Sequence, residues 1–145
     1  MHARQRPAQP AHGPTGGDAL RPAGVHLKLM PYRAWLKAGL TVAFGSDQPV
    51  VTGDPILGWR AAVQRQTRDG DILGPEERLE PLEALRAYTV GSALACGDPD
   101  IGTLEPDQEA RFVVLNRRPE LIAEADMRVL TTSAQLLPPV QEETV

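Results

Sequence analysis

The residue of this sequence that could best carry out chemistry is Asp47, which with Ser46 follows a short uncharged run at 40–44. That run is rich in strand-forming side chains, which predicts a strand covered on both faces, as in a parallel sheet. The carboxyl ends of such strands form the edge at which α/β proteins bind ligands and catalyse reactions. A carboxylate at this edge can hold a metal ion or accept a proton from water. Position alone leaves a second interpretation open, in which Asp47 serves a polar turn before Pro49.

Other groups that could react are better explained by structural roles. Cys96 ends a run of small residues without a histidine beside it, so we expect a buried thiol and no nucleophile. A single cysteine also excludes an internal disulfide and a multi-cysteine zinc site. His2 and His12 lie in a segment that cannot fix metal geometry, and His26 fits an ordinary surface or packing residue. The glutamates between 76 and 83 indicate a solvent-exposed face with charges favourable near a helix start.

The composition excludes several classes of function. The 145 residues carry 15 basic and 19 acidic side chains, a net charge of −4, which makes the chain a poor general binder of nucleic acid. Aromatic residues make up only 4%, too few for base-stacking platforms. No apolar run reaches the roughly 18 residues of a membrane span, and no apolar segment follows Arg4 and Arg6 as in a secretory signal. We therefore expect a cytoplasmic protein without a membrane partner.

Helix signals flank the predicted strand. Pro31 and Gly39 bracket one helix, and Asp54 is a favourable N-cap for a second. A third helix is predicted to begin near Pro81 and to end at Gly97. Small residues in its second half predict close packing against another element. They are Gly91, Ser92, Ala93 and Ala95.

The chain divides into four segments. Residues 1–24 are rich in proline and glycine and predict a disordered leader. Residues 25–100 hold the predicted parallel strand with its flanking helices, residues 101–137 predict short strands, and residues 138–145 predict a loose tail. The candidate strands of the third segment are 101–104, 110–115 and 127–132, with a turn at 105–108. The strand at 40–44 needs parallel neighbours that the sequence does not supply, which indicates part of a larger α/β structure.

Short segments between residues 28 and 132 share residue types, order and spacing with one known family. They include Tyr32-Arg33, Gly39-Leu40, Val42-Ala43, Gly45-Ser46-Asp47, Pro49-Val50, Asp54-Pro55-Ile56-Leu57-Gly58, Ala61-Ala62-Val63-Gln64-Arg65, Glu76-Glu77-Arg78-Leu79, Glu83-Ala84-Leu85-Arg86-Ala87-Tyr88-Thr89, Ile101-Gly102-Thr103-Leu104-Glu105-Pro106 and Phe112-Val113-Val114-Leu115. In these segments the chain resembles the amidohydrolase superfamily, and most closely amidohydrolase family 3.

The resemblance implies a fold and an activity. The family forms a (β/α)₈ TIM barrel with a small β-sandwich, so the strand at 40–44 would be the last barrel strand and the helix from Asp54 its partner. Residues 101–132 would then belong to the sandwich. The family hydrolyses carbon–nitrogen bonds other than peptide bonds in small amide-type substrates, using a divalent metal, usually zinc. The resemblance implies that Asp47 acts as general base on the metal-bound water and is a candidate metal contact, whereas Ser46 has no catalytic role.

The sequence departs from the family pattern in several places. It has no His-x-His pair, so we expect the chain alone to be inactive and not to bind the metal tightly. The sandwich turn, 106–111, carries Asp107 where the family usually has glycine, which suits a type I turn. Arg111 reverses a charge there, and residues 133–139 replace the usual closing strand. The missing histidine pair and the presence of only the final barrel unit predict the C-terminal part of a hydrolase.

A second hypothesis is a non-enzymatic module. The exposed edge of an incomplete barrel could bind a partner, such as a separately encoded N-terminal half. Co-purification with a histidine-rich α/β protein would favour this hypothesis. An aggregated chain without such a partner would favour a truncated gene product.

Overall fold

The computed structural model describes residues 3–5, 29–67, 69–124 and 126–136. Within them the chain mixes short helices and short strands, in agreement with the predicted α/β class. The strands are β1 (Ala3–Gln5), β2 (Val42–Phe44), β3 (Val113–Leu115) and β4 (Val129–Thr132). The helices are α1 (Tyr32–Lys37), α2 (Pro55–Gln64), α3 (Pro81–Tyr88), α4 (Val90–Cys96) and α5 (Ser133–Leu136). Two 3₁₀ turns, η1 (Pro75–Glu77) and η2 (Pro119–Leu121), lie between them.

Helix α2 begins and ends for identifiable chemical reasons. Asp54 Oδ1 accepts a hydrogen bond from the backbone N–H of Ile56 at 2.9 Å, and Pro55 occupies the first turn. The helix ends at Arg65, whose φ of 56° lies in the left-handed region that usually favours glycine. The N-cap predicted at Asp54 is therefore present. The end of the helix could not be predicted in the same way, because residue 65 is an arginine and not the usual glycine.

The helix predicted from Pro81 to Gly97 is two helices, α3 and α4. Thr89 lies between them with φ −105° and ψ −89°, outside the helical region. The start of α3 is set by Pro81 and by Glu83, whose Oε2 accepts the Glu80 N–H at 2.8 Å. The end of α4 is Gly97, with φ 76°. The start and end were predicted correctly, and the break at Thr89 was not.

Strand β2 has a parallel neighbour. Ala3, Arg4 and Gln5 pair with Val42, Ala43 and Phe44. Residues 3–5 belong to the segment 1–24 that its composition predicted as a disordered leader, and at these three residues the prediction is corrected. Backbone pairing in a parallel sheet does not require large apolar side chains at every position, so composition alone does not exclude it.

The C-terminal part forms one antiparallel hairpin. Strands β3 and β4 pair Val113 with Thr132 and Val114 with Thr131. Two of the predicted strands, 110–115 and 127–132, are thus present in shortened form, whereas residues 101–104 form no strand. The turn at 105–108 is present, but Asp107 has φ 66°, so it is not the predicted type I turn.

The hydrophobic core lies between β2, α2 and α3. Phe44 is at its centre, with its ring edge-to-face against Tyr32 at 5.0 Å and against Tyr88 at 5.2 Å. The other buried side chains of this cluster come from several elements. They are Val42, Ile56, Trp59, Ala62, Leu79, Ala84, Ala87, Ile122 and Met127. The core therefore surrounds the strand that leads to Asp47.

Several predictions fall outside the described residues. His2, His12, His26, most of the segment 1–24 and the tail 138–145 are among them. In the described part of the chain, no helix has the length and apolar character needed to cross a membrane.

Candidate active site

Asp47 lies directly beyond the carboxyl end of β2. The chain leaves the strand at Phe44, passes through Gly45 and Ser46, and reaches Asp47, whose side chain is exposed. The backbone oxygen of Asp47 accepts the Val50 N–H at 2.9 Å, which closes a turn. The turn predicted before Pro49 is therefore present, and it lies at the carboxyl end of the strand.

The backbone of Asp47 adopts an unusual conformation. Its φ of 56° places it in the left-handed region. Glycine adopts this region without cost, and aspartate and asparagine do so more readily than other residues with a Cβ atom. An aspartate at a position whose backbone conformation favours glycine is consistent with a functional role of its carboxylate.

The end of β2 is held by both its side chain and its backbone. The ring of Phe44 packs between two tyrosines, and its carbonyl oxygen lies 2.8 Å from Ser92 Oγ on α4. The helix can come this close because residue 91 is glycine, where a Cβ atom would overlap the carbonyl oxygen of Val42. The close packing predicted from the small residues of this helix is present.

A buried phenol lies next to the strand end. The hydroxyl of Tyr88 has no hydrogen-bond partner within the described residues. Burial raises the pKa of Tyr88, and the charges of Tyr32 and Asp54 raise it further. The phenol is therefore protonated at neutral pH and acts as part of the core.

A second polar cluster positions α1. The guanidinium of Arg65 donates to the carbonyl oxygens of Leu29 at 2.6 Å, Met30 at 3.1 Å and Leu73 at 2.9 Å. It also lies 5.5 Å from the centre of the Tyr32 ring. Burial lowers the pKa of Arg65, while nearby Tyr32 and Glu77 act in the opposite direction.

Glu77 and Cys96 differ from the expectations based on sequence. Glu77 is 3% exposed and accepts the backbone N–H of Ala34 in the first turn of α1 at 2.9 Å, so it does not belong to a solvent-exposed acidic face. Cys96 was expected to be buried, and the structure places it exposed at the end of α4. The burial of Glu77 could not be predicted from neighbouring residues, because Ala34, to which it is hydrogen-bonded, is 43 positions away.

The described residues do not form a metal site by themselves. Within 29–67, 69–124 and 126–136, no three histidine, cysteine, aspartate or glutamate side chains lie close enough together to hold an ion. Asp47 could contribute one oxygen ligand, but a stable site needs several. The described residues alone therefore do not supply a complete ligand set for the metal that the resemblance implies.

Comparison with known proteins decides the family. A family model described as the amidohydrolase family matches residues 4–137. The chain belongs to the amidohydrolase family. The match confirms the resemblance noted in the sequence, and it also includes residues that were predicted as a leader.

Named relatives in this family act on different compounds. The chain is 40% identical to an N-substituted formamide deformylase of Arthrobacter pascens over 106 residues, which is 72% of this chain and 20% of the relative. It is 33% identical to a 5-methylthioadenosine/S-adenosylhomocysteine deaminase of Pelotomaculum thermopropionicum over 68% of this chain and 23% of that enzyme. The chain thus spans about a fifth of the length of these relatives.

A solved structure is also similar. An uncharacterized metal-dependent hydrolase from Pyrococcus horikoshii aligns with 64% of this chain and 20% of its own length, at a TM-score of 0.58 and 32% sequence identity.

Proposed function

We propose that this chain is the C-terminal part of a metal-dependent amidohydrolase and that Asp47 is its general base. The reaction class is hydrolysis of carbon–nitrogen bonds other than peptide bonds. The observation that carries this proposal is an exposed carboxylate just past the end of a buried parallel strand, in a backbone conformation that glycine would fit better. In α/β folds this edge of the sheet is where catalytic groups lie.

The chemistry required of Asp47 is a proton transfer. Its carboxylate accepts a proton as the oxygen of a water molecule attacks the carbon of the scissile bond. The same proton then passes to the nitrogen as the carbon–nitrogen bond breaks, so the carboxylate is regenerated. A solvent-exposed carboxylate can exchange protons with water and substrate in this way.

The metal of this proposal would depend on ligands outside the described residues. A divalent metal, and zinc in particular, activates water for attack in hydrolases. The described residues supply Asp47 as a candidate contact and no complete ligand set. We therefore expect the purified chain to show neither stoichiometric metal nor turnover. The relatives extend far beyond the part that this chain matches, and we expect the histidine ligands to come from that remaining sequence.

The substrate class proposed is a small amide or related compound. The deformylase is named for an N-substituted formamide and the second relative for the removal of an amino group, and both reactions cleave a carbon–nitrogen bond. The higher identity to the deformylase makes N-substituted formamides the first compounds to assay.

The test combines the chain with the part of the Arthrobacter deformylase that the chain does not match. The chain is assayed with N-substituted formamides, alone and after mixing with the N-terminal four fifths of the Arthrobacter deformylase. We expect turnover only in the mixture and a loss of about 10²- to 10⁴-fold with Asp47→Asn. Asp69→Asn, which alters an exposed carboxylate in a distant turn, is the control and should leave the rate unchanged. Turnover by the chain alone, or full activity of Asp47→Asn in the mixture, would contradict the proposal.

A partner-binding module is the second candidate. The β3–β4 hairpin is a two-stranded sheet within the described residues, and Val113 and Leu130 are 53% and 62% exposed. A further strand from another polypeptide could cover such an edge. Co-purification of a histidine-rich α/β protein, combined with inactivity of the mixture described above, would favour this function.

A further inference from the structure

The carbonyl group that ends β2 is held from a distant part of the chain. Ser92 Oγ lies 2.8 Å from the oxygen of Phe44 and 3.0 Å from that of Ala87. A serine hydroxyl has one proton, so it donates to one of these oxygens at a time. The bond to Phe44 joins residues 48 positions apart and therefore ties the end of the strand to helix α4.

The position of Ser92 is itself fixed by close packing. Gly91 allows α4 to approach the backbone of β2 at Val42. The loop after the helix also lies against it, because a Cβ atom at Gly102 would come within 3.1 Å of Ala93 Cβ and of the Thr89 carbonyl oxygen. The helix therefore has little freedom to move away from the strand, and the hydroxyl remains within reach of Phe44.

The Phe44 carbonyl controls the direction in which the chain leaves the sheet. Its oxygen lies in the same rigid peptide plane as the nitrogen of Gly45. Gly45 has no neighbouring atom within 4 Å of the position where a Cβ atom would lie, so packing does not restrain it. Fixing the oxygen of Phe44 thus fixes the starting direction of the short segment that carries Asp47.

We propose that Ser92 is a positioning residue that orients the turn containing Asp47, an inference that rests on the general-base role proposed for Asp47. Ser92 acts through the Phe44 carbonyl and does not touch the reacting atoms. Its hydroxyl reduces the range of directions available to residues 45–47, so the carboxylate is held in one place at the strand edge.

The test measures the turn directly and does not depend on activity. The backbone N–H of Val50 donates to Asp47, and its hydrogen exchange in the full chain reports whether the turn is closed. The N–H of Leu73, which donates to Arg65, is the internal reference. We expect Ser92→Ala to accelerate exchange at Val50 by about threefold to tenfold, with no change at Leu73.

Two further variants separate positioning from general loosening. Thr89→Val removes a hydroxyl that donates to the carbonyl oxygen of Leu85 in α3 at 3.1 Å and not to β2, so it should leave hydrogen exchange at Val50 unchanged. Ser92→Thr keeps a hydroxyl and should restore slow exchange. If Ser92→Ala does not fold, Ser92→Cys supplies the weak donor, and an intermediate acceleration at Val50 is then expected.

The outcomes that overturn the proposal are equally definite. They are unchanged exchange at Val50 in the alanine or cysteine variant, equal acceleration at Leu73, or the same acceleration with Thr89→Val. Because no catalysis is measured, such a result refutes the role of Ser92 and leaves that of Asp47 standing. Conversely, activity that survives Asp47→Asn would refute the base without changing the exchange data.

Discussion

Replacement of Arg65 removes the side chain that joins three separate segments of the fold. Its guanidinium donates to the carbonyl oxygens of Leu29 and Met30 before α1 and of Leu73 before η1, and only 3% of the residue is exposed. Arg65→Ala leaves these oxygens without their charged donor. Arg65→Lys offers a single point of charge that cannot reproduce the planar fork of the guanidinium.

The magnitude follows from the three bonds and from the cost of burial. Hydrogen bonds to a charged group contribute about 1.5–3 kcal/mol each. Burial, which lowers the pKa of Arg65, offsets part of that sum. We expect Arg65→Ala to lower the free energy of unfolding by about 3–5 kcal/mol and Arg65→Lys by about 2–3 kcal/mol. A typical domain has about 5–15 kcal/mol in total, so the alanine variant should be close to unfolding.

The assay is urea denaturation followed by tryptophan fluorescence and circular dichroism. Arg86→Ala, at an exposed position of α3, is the control and should change stability by less than about 0.5 kcal/mol. Arg65→Gly should be about 1 kcal/mol more stable than Arg65→Ala, because residue 65 has a φ of 56°. A loss of less than about 1 kcal/mol in Arg65→Ala would refute the role of the cluster.

Three further variants test the buried phenol of Tyr88 and the turn at 105–108. The pKa of Tyr88 is higher in the folded protein than the value of about 10 for an unfolded phenol, so the unfolded chain ionises first as the pH rises. The contribution of Tyr88 to the free energy of unfolding is therefore complete below about pH 10 and is lost as the pH rises further through the folded-state pKa. Tyr88→Phe should therefore flatten the alkaline loss of stability, measured by urea denaturation at pH 8–11, and should gain about 1 kcal/mol at pH 7; an unchanged alkaline slope would contradict this. Asp107→Gly should raise the melting temperature and Asp107→Ala should lower stability by about 1 kcal/mol, since φ is 66°; equal stability of both variants would exclude strain at this turn.

The local signals in the sequence were sufficient for β2 and for most helix ends. Pro55 with Asp54, and Pro81 with Glu83, specify helix starts through contacts within a few residues. The strand before Asp47 was evident from its uncharged run. These features were predictable because their causes lie within one or two turns of chain.

The features that were not predictable depend on contacts between distant residues. Glu77 is buried because it accepts a hydrogen bond from the backbone of Ala34. Arg65 occupies a helix end where glycine is usual because its side chain donates to the carbonyl oxygen of Leu29. The same holds at the candidate site. The position of Asp47 could be predicted from the strand, whereas the hydrogen bond between Ser92 and Phe44 could not, because no pattern in the sequence links them.

The β3–β4 hairpin has a practical consequence for anyone who purifies the chain. Several apolar side chains of its described strands face water, and exposed strands of this kind can pair with strands of another molecule. Repulsion between molecules with a net charge of only −4 is modest and is screened by salt. The chain should therefore aggregate at high protein concentration, at high salt or at low pH, and light scattering would detect this. Leu130→Lys should reduce the aggregation.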